Sequence, residues 1–237
     1  MQKIIALLIL ALLSSASIVS AQINWDISGF SGIDVSGNID VLLEKGTEDK
    51  VVISSPNQAS IDIDIYVDGD GILRLYALKS LILDKCSIKI KVTYTELKSI
   101  KAIAGAEVYS KETIRTDNLW VKAGSGGQIE LTIDADHLEA RATEGGELEL
   151  KGTVNSQYAF AATGGEYDGL DLSCSQTQAR ANTGGEIMVN ASETLSARAN
   201  TGGVIEYFGD AKVQSLQTGI SGKVRRLKNR GMRLEWN

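Results

Sequence analysis

Between Ala123 and Tyr207 the chain repeats one pattern five times: small residues, a glycine pair, then an acidic-apolar run. The copies read AGSGGQIEL, ATEGGELEL, ATGGEYDGL, NTGGEIMV and NTGGVIEY. The pairs are Gly126-Gly127, Gly145-Gly146, Gly164-Gly165, Gly184-Gly185 and Gly202-Gly203, so successive repeats are 19, 19, 20 and 18 residues long. That period is too short for helix-pair repeats and suits one coil of a β-solenoid. A sharp corner needs backbone angles that a Cβ disfavours, chiefly positive φ, so all ten glycines are expected at structural turns. A further turn at Ser221-Gly222 keeps the period.

Counted from the first glycine of each pair, position minus three holds Ala123, Ala142, Ala161, Ala181 and Ala199, and minus five holds Val121, Ala140, Ala159, Ala179 and Ala197. Plus three holds Ile129, Leu148, Tyr167, Ile187 and Ile205. Period-two alternation in such short runs means strands, with these positions facing inward. The expected coil is two strands meeting at a glycine turn, with alanines where the sheets approach closely and aliphatics where they diverge. Stacked at about 4.8 Å, identical positions form ladders.

The half before Ala104 is less regular. Ile33 to Val41, turning at Ser36-Gly37-Asn38, imitates one coil, so the stack is expected to begin near residue 22. Ile61 to Val67, the turn Asp68-Gly69-Asp70-Gly71 and Ile72 to Tyr76 carry a hairpin signature. Longer strands are expected here, as a sheet that caps one end of the solenoid. Residues 22–237 therefore read as one β-solenoid domain, 22–103 less regular and 104–237 the regular repeats.

Residues 1–21 read as a secretory signal peptide: Lys3 is the positive start, Ile4 to Leu13 the apolar run, and Val19-Ser20-Ala21 the small-residue site before Gln22. The apolar run falls short of the roughly 20 residues that span a bilayer, and no later segment could span one. The expected location is outside the cytoplasm: periplasm, outer-membrane surface or extracellular. In an oxidising compartment Cys86 and Cys174 pair or serve as separate buried fillers, and both readings stay open. The formal net charge of −6 repels polyphosphate and excludes nucleic acid as a partner. Basic residues gather late, at Arg225, Arg226, Lys228, Arg230 and Arg233 beside Trp236, and read as a solvated capping strand or tail.

The segment SGFSGIDVSGNIDVLLEKG at 28–46, the alternating middle segment and the glycine-pair repeats together resemble the putative auto-transporter adhesin, head GIN domain family over essentially the whole chain after residue 21. The resemblance implies an exported bacterial protein with a β-helix-like stack of pectin-lyase-like shape and a role in cell adhesion. It carries no catalytic residues. The chain shows no barrel-like C-terminal segment and no heptad stalk, so self-translocation and stalk-mediated trimerisation are not implied.

Chemistry was sought in the outward positions. Glu147, Glu166 and Glu186 share plus two, and Glu130, Glu149, Asp168 and Glu206 share plus four. They read as a solvated acidic face or, for the first three, as a Ca²⁺ site that would offset the repulsion of stacked like charges. No other cofactor is indicated. On the other strand Lys122, Arg141, Phe160, Arg180 and Arg198 share minus four, with Trp120 and Tyr158 beside them at minus six. That strip reads as a contact for a cell-surface glycan or a host or envelope protein, or as stems that merely cover the sheet. His137 has no histidine or cysteine at ligand spacing, which leaves neither a zinc site nor a Ser-His-Asp triad. The expected function is a non-enzymatic adhesion or surface-interaction module, with homo-oligomerisation open. The alternatives are a carbohydrate-active enzyme, lyase or hydrolase, and an envelope scaffold without a specific ligand.

Overall fold

The computed structural model describes residues 23–25, 27–53, 63–77 and 88–228. Residues 1–21, Ile61, Cys86, Arg230, Arg233 and Trp236 lie outside that set, and with them the expected signal peptide and the Cys86–Cys174 pair. Cys174 is a buried free thiol.

The N-terminal strands are β1 (Ile23–Trp25), β2 (Gly32–Gly37), β3 (Ile39–Lys45), β4 (Lys50–Ile53), β5 (Asp64–Val67), β6 (Ile72–Ala77), β7 (Ile88–Tyr94), β8 (Ser99–Ile103) and β9 (Glu107–Ser110). The repeats supply β10 (Ile114–Gly124), β11 (Gln128–Thr143), β12 (Glu147–Ala162), β13 (Glu166–Asn182) and β14 (Glu186–Ala199). The last coils supply β15 (Val204–Phe208), β16 (Val213–Thr218) and β17 (Lys223–Arg226). The result is an all-β solenoid of about seven turns with a coil spacing of about 19 residues.

Each long strand passes through two sheets. In β11 the buried residues are Ile129, Leu131, Ile133 and Ala135, then Leu138, Ala140 and Ala142. The inward parity flips between Ala135 and Leu138, across the exposed pair Asp136 and His137. A strand keeps both halves facing one core only by turning a corner there, because successive side chains alternate. The ladder to β12 skips Asp136 opposite Asn155 at that point. Hence the longest strands are β11 to β14, at 14 to 17 residues, while β2 to β9 have four to seven. The expectation of longer N-terminal strands is corrected: repeat strands are long because they run through this second corner unbroken.

The first corner is the glycine turn. Thr163 and Gly164 have φ of 55° and 71°, and the Gly165 N–H donates to the Ala162 carbonyl at 3.0 Å, which is a type I′ turn. Only the first glycine of each pair uses positive φ. The residue before it does so too, at Ser125, Glu144, Thr163, Thr183 and Thr201. The second glycine is needed for space: a Cβ on Gly165 would penetrate the carbonyl oxygen of Ala142 in the preceding coil, and Gly127, Gly146, Gly185 and Gly203 meet equivalent backbone. Absence of a side chain thus lets the coils stack closely.

Ala102, Ala123, Ala142, Ala161, Ala181 and Ala199 stack in parallel register and are fully buried. We call the sheet they line the alanine sheet. The other, carrying Ile129, Leu148, Tyr167, Ile187 and Ile205, is the aliphatic sheet, and all of these side chains share one continuous core. Alanines line one sheet of that core and larger side chains the other. Each fully buried Leu or Ile contributes about 1.5–3 kcal/mol.

The N-terminal hairpin forms as expected, β5 antiparallel to β6. The coil at 33–41 also forms, but not at the end of the stack. Strand β2 lies between β6 and β8, and β3 between β7 and β9. The chain enters the second coil, builds outward through β4 to β7, then crosses back to β8. Antiparallel β5, β4 and β1 cover the N-terminal edges of the two sheets. At the other end the last coil leaves Val213, Leu216 and Ile220 exposed.

Candidate functional site

The strip selected from the sequence is brought together: Lys122, Arg141, Phe160, Arg180 and Arg198 are consecutive register partners on the outer face of the alanine sheet. Their surroundings differ. Arg141 donates from Nε to Glu139 Oε1 at 2.5 Å and lies 5.5 Å from the ring centres of both Tyr158 and Phe160. Trp120 Nε1 donates to the same Glu139 oxygen at 3.2 Å. Arg198 is held by Gln217 Oε1 at 2.9 Å. Arg180 and Lys122 have no side-chain partner among the described residues. The strip is therefore two engaged guanidinium groups, one free one, one free lysine and a ring.

On the outer face of the aliphatic sheet, Glu147, Glu166 and Glu186 stand one per coil in a straight row. A row holds its carboxylates apart, and among the described residues no group of three or more His, Cys, Asp or Glu side chains is arranged to hold a metal ion. Partial burial, then the neighbouring Glu147, pushes the Glu166 carboxyl above its ordinary pKa. Burial, then Glu166 and Glu206, does the same to Glu186, against an opposing pull from Arg225. The adjacent row is offset by side chains of the protein itself. Lys151 Nζ bridges Glu149 at 2.9 Å and Glu130 at 3.2 Å, and Arg225 pairs with buried Glu206 at 2.9 Å. Arg225, expected in a solvated capping strand or tail, lies in the last strand, β17, and its position 19 residues after Glu206 is the sequence signal for the pair. Arg226 likewise pairs with Asp210. Glu130, Glu147, Glu149, Glu166, Asp168 and Glu186 line a shallow groove of about 410 Å³.

A second groove, of about 710 Å³, follows the second corner along the stack. One row of its wall is Trp120, Glu139, Tyr158, Gln178, Ser196 and Ser215. The parallel row begins Asn118, His137, Ser156, Gln176 and Thr194. His137 is exposed and its Nδ1 lies 2.6 Å from Ser156 Oγ. Between the two rows the inward side chains are Leu119, Leu138, Gln157, Thr177 and Leu195, all buried. Gln157 is satisfied internally: Tyr167 Oη donates to its Oε1 at 2.7 Å, and its Nε2 donates to Thr177 Oγ1 at 3.1 Å. Burial holds the Tyr167 hydroxyl well above the usual tyrosine pKa, so this buried network stays uncharged. Trp120 and Tyr158 were legible from the sequence. The amide and hydroxyl rows beside them were not, because such residues at strand positions signal nothing by type.

Among the described residues no helix is long and apolar enough to cross a membrane. Sequence comparison matches residues 29–211 to the family described as putative auto-transporter adhesin, head GIN domain. None of the curated proteins matches the chain. Solved structures do. A putative adhesin from Bacteroides fragilis superposes with a TM-score of 0.79 at 22% identity, covering 87% of this chain and 96% of that one. A putative lipid binding protein from Parabacteroides distasonis gives 0.66 at 24% identity over 88% and 96%, and a putative adhesin from Parabacteroides merdae 0.65 at 18% over 88% and 96%. At these identities the likeness establishes the fold.

Proposed function

The chain belongs to the putative auto-transporter adhesin, head GIN domain family, and from that premise we propose that it is an exported, non-enzymatic module that attaches one surface to another. The observation that carries this reading is the outer face of the alanine sheet, where one outward-facing cation or ring per coil, half-buried at Lys122, Arg141 and Phe160 and exposed at Arg180 and Arg198, recurs in register. Repeated weak contacts along one line gain avidity through valency without any deep pocket. Hydrolase or lyase chemistry needs an acid and a base converging on one bond, and here the charges run as rows. The names of the solved relatives, adhesins in two of the three cases, support the same reading.

Replacing Arg141, Phe160, Arg180 and Arg198 together by alanine is expected to weaken attachment of purified residues 22–237 to bacterial or host surfaces while the far-ultraviolet circular dichroism stays unchanged. If acidic polysaccharides are instead cleaved, with products that accumulate and disappear in Glu166→Gln, the carbohydrate-active enzyme reading replaces this one. Cell fractionation and surface proteolysis would separate periplasmic from surface-exposed protein.

A further inference from the structure

We propose that the groove along the second corner binds an extended, uncharged polysaccharide; this rests on the adhesion reading and adds to it a ligand class and a second site beside the strip. Shape comes first. The wall row from Trp120 to Ser215 takes one side chain from each of six successive coils. At about 4.8 Å per strand the groove is roughly 24 Å long and straight. An occupant that uses its length must itself be elongated and repeat at a similar spacing.

The chemistry of the wall selects among such occupants. Trp120 and Tyr158 are two coils apart, about 9.6 Å, a separation that suits alternate residues of an extended sugar chain. Both rings are held in place, Trp120 by its Nε1 bond to Glu139 and Tyr158 by the Arg141 guanidinium. Apolar C–H faces of sugars stack on such rings, and rings already ordered lose little entropy on binding. Beyond Tyr158 the rows continue as Gln176, Gln178, Thr194 and Ser196, which make no side-chain hydrogen bond among the described residues. Amides and hydroxyls both donate and accept, as vicinal sugar hydroxyls require. The one carboxylate of the wall, Glu139, is engaged by Trp120 and Arg141.

Other occupants fit less well. An acyl chain would need apolar walls, yet Leu119, Leu138 and Leu195 are buried beneath the polar rows. A peptide strand would need an open sheet edge, and these rows lie in the middle of the sheet. An acidic glycan would need cations, yet Lys98 at the end of the groove is paired with Glu96, and Lys122 and Arg180 lie in the neighbouring row.

Native affinity electrophoresis of residues 22–237 tests this, with hydroxyethylcellulose, xyloglucan, galactomannan and dextran as uncharged probes and polygalacturonate and heparin as charged ones. At least one uncharged polysaccharide should retard the protein. Trp120→Ala combined with Tyr158→Ala should weaken that retardation roughly tenfold or more. Exposed Gln178→Arg, which puts bulk and charge in mid-groove without touching the core, should also weaken it. If no uncharged probe retards a protein that still attaches to cells, the groove proposal falls and the adhesion reading stands. If retardation survives both groove variants, the site lies elsewhere and the proposal is equally overturned. Absence of both retardation and attachment removes both readings.

Discussion

The two corners of each coil solve the same problem, reversing the chain, in opposite ways. At the glycine corner paired positive φ recurs from Ala104-Gly105 to Thr201-Gly202, and from Gly127 to Gly203 the second glycine packs against the backbone of the coil before. Along the aliphatic sheet into the second corner the register shifts, between Glu149 and Gly152 and between Gly169 and Ser173 within the sheet and between Cys174 and Gln176 at the corner itself. The unequal repeats of 19, 20 and 18 residues are absorbed there. A corner stacked backbone to backbone has no room for variation, whereas one made by changing strand parity can take a residue more or less. The tight corner sets the register and the loose one hosts the larger groove.

The largest expected effect tests the tight corner. Gly165→Ala should cost about 3 kcal/mol, since its Cβ meets the Ala142 carbonyl rather than a movable side chain. Gly164→Ala faces open space and should cost only the positive-φ penalty, about 1–2 kcal/mol. Urea denaturation of the two variants measures the difference; equal costs would mean that close stacking is not what the second glycine provides. Ala181→Leu, close to the same corner, should cost about 1–3 kcal/mol by overpacking a site with no exposed surface. An unchanged denaturation midpoint would mean the alanine sheet has slack.

Toward the second corner, Tyr167→Phe removes the donor to buried Gln157 Oε1 and should cost about 1–3 kcal/mol. Glu186→Gln should stabilise by about 0.2–1 kcal/mol at pH 7, because it removes a partly buried charge and, with it, the like-charge repulsion along the row. The sign follows from the raised pKa: the folded state retains a proton that the unfolded chain gives up, so stability is greatest at acid pH and falls as pH rises from about 4.5 through the folded value. Thermal melts at pH 4 and pH 7 should show the gain only at the higher pH. Smallest of all, one glycine inserted between exposed Ser192 and Glu193, in the 18-residue coil, should change stability by less than about 0.5 kcal/mol. A large loss would show the second corner to be as constrained as the first.

Much of this was legible in advance because ladder formation is local in the repeat: identical residues one coil apart must become neighbours once the strands stack. The glycine period gave the solenoid, its two sheets and the rows from Lys122 to Arg198 and from Glu147 to Glu186. In a 19-residue coil the inward Leu131 and Ala142 are an odd number of residues apart, which demands a parity change between them. Nothing local says where that change falls. It depends on which residues the core has room to bury, and so the second corner and its groove emerged only with both sheets in place.

The same division holds for the charges and for the N-terminal part. The residue types alone fixed which positions carry charge, but stacking decided that Arg225 offsets Glu206 and Lys151 reaches Glu130 across coils, and side-chain packing that Arg141 and Lys151 engage Glu139 and Glu149 on their own strands. The alternation of β2 and β3 declared them strands, while their place between β6–β7 and β8–β9 required long-range parallel pairing that no short window of sequence encodes. Local backbone preference and side-chain periodicity are properties of the chain. Order in the stack, corner position and the partner of each charge belong to the packed core, where residues far apart in sequence compete for the same buried space.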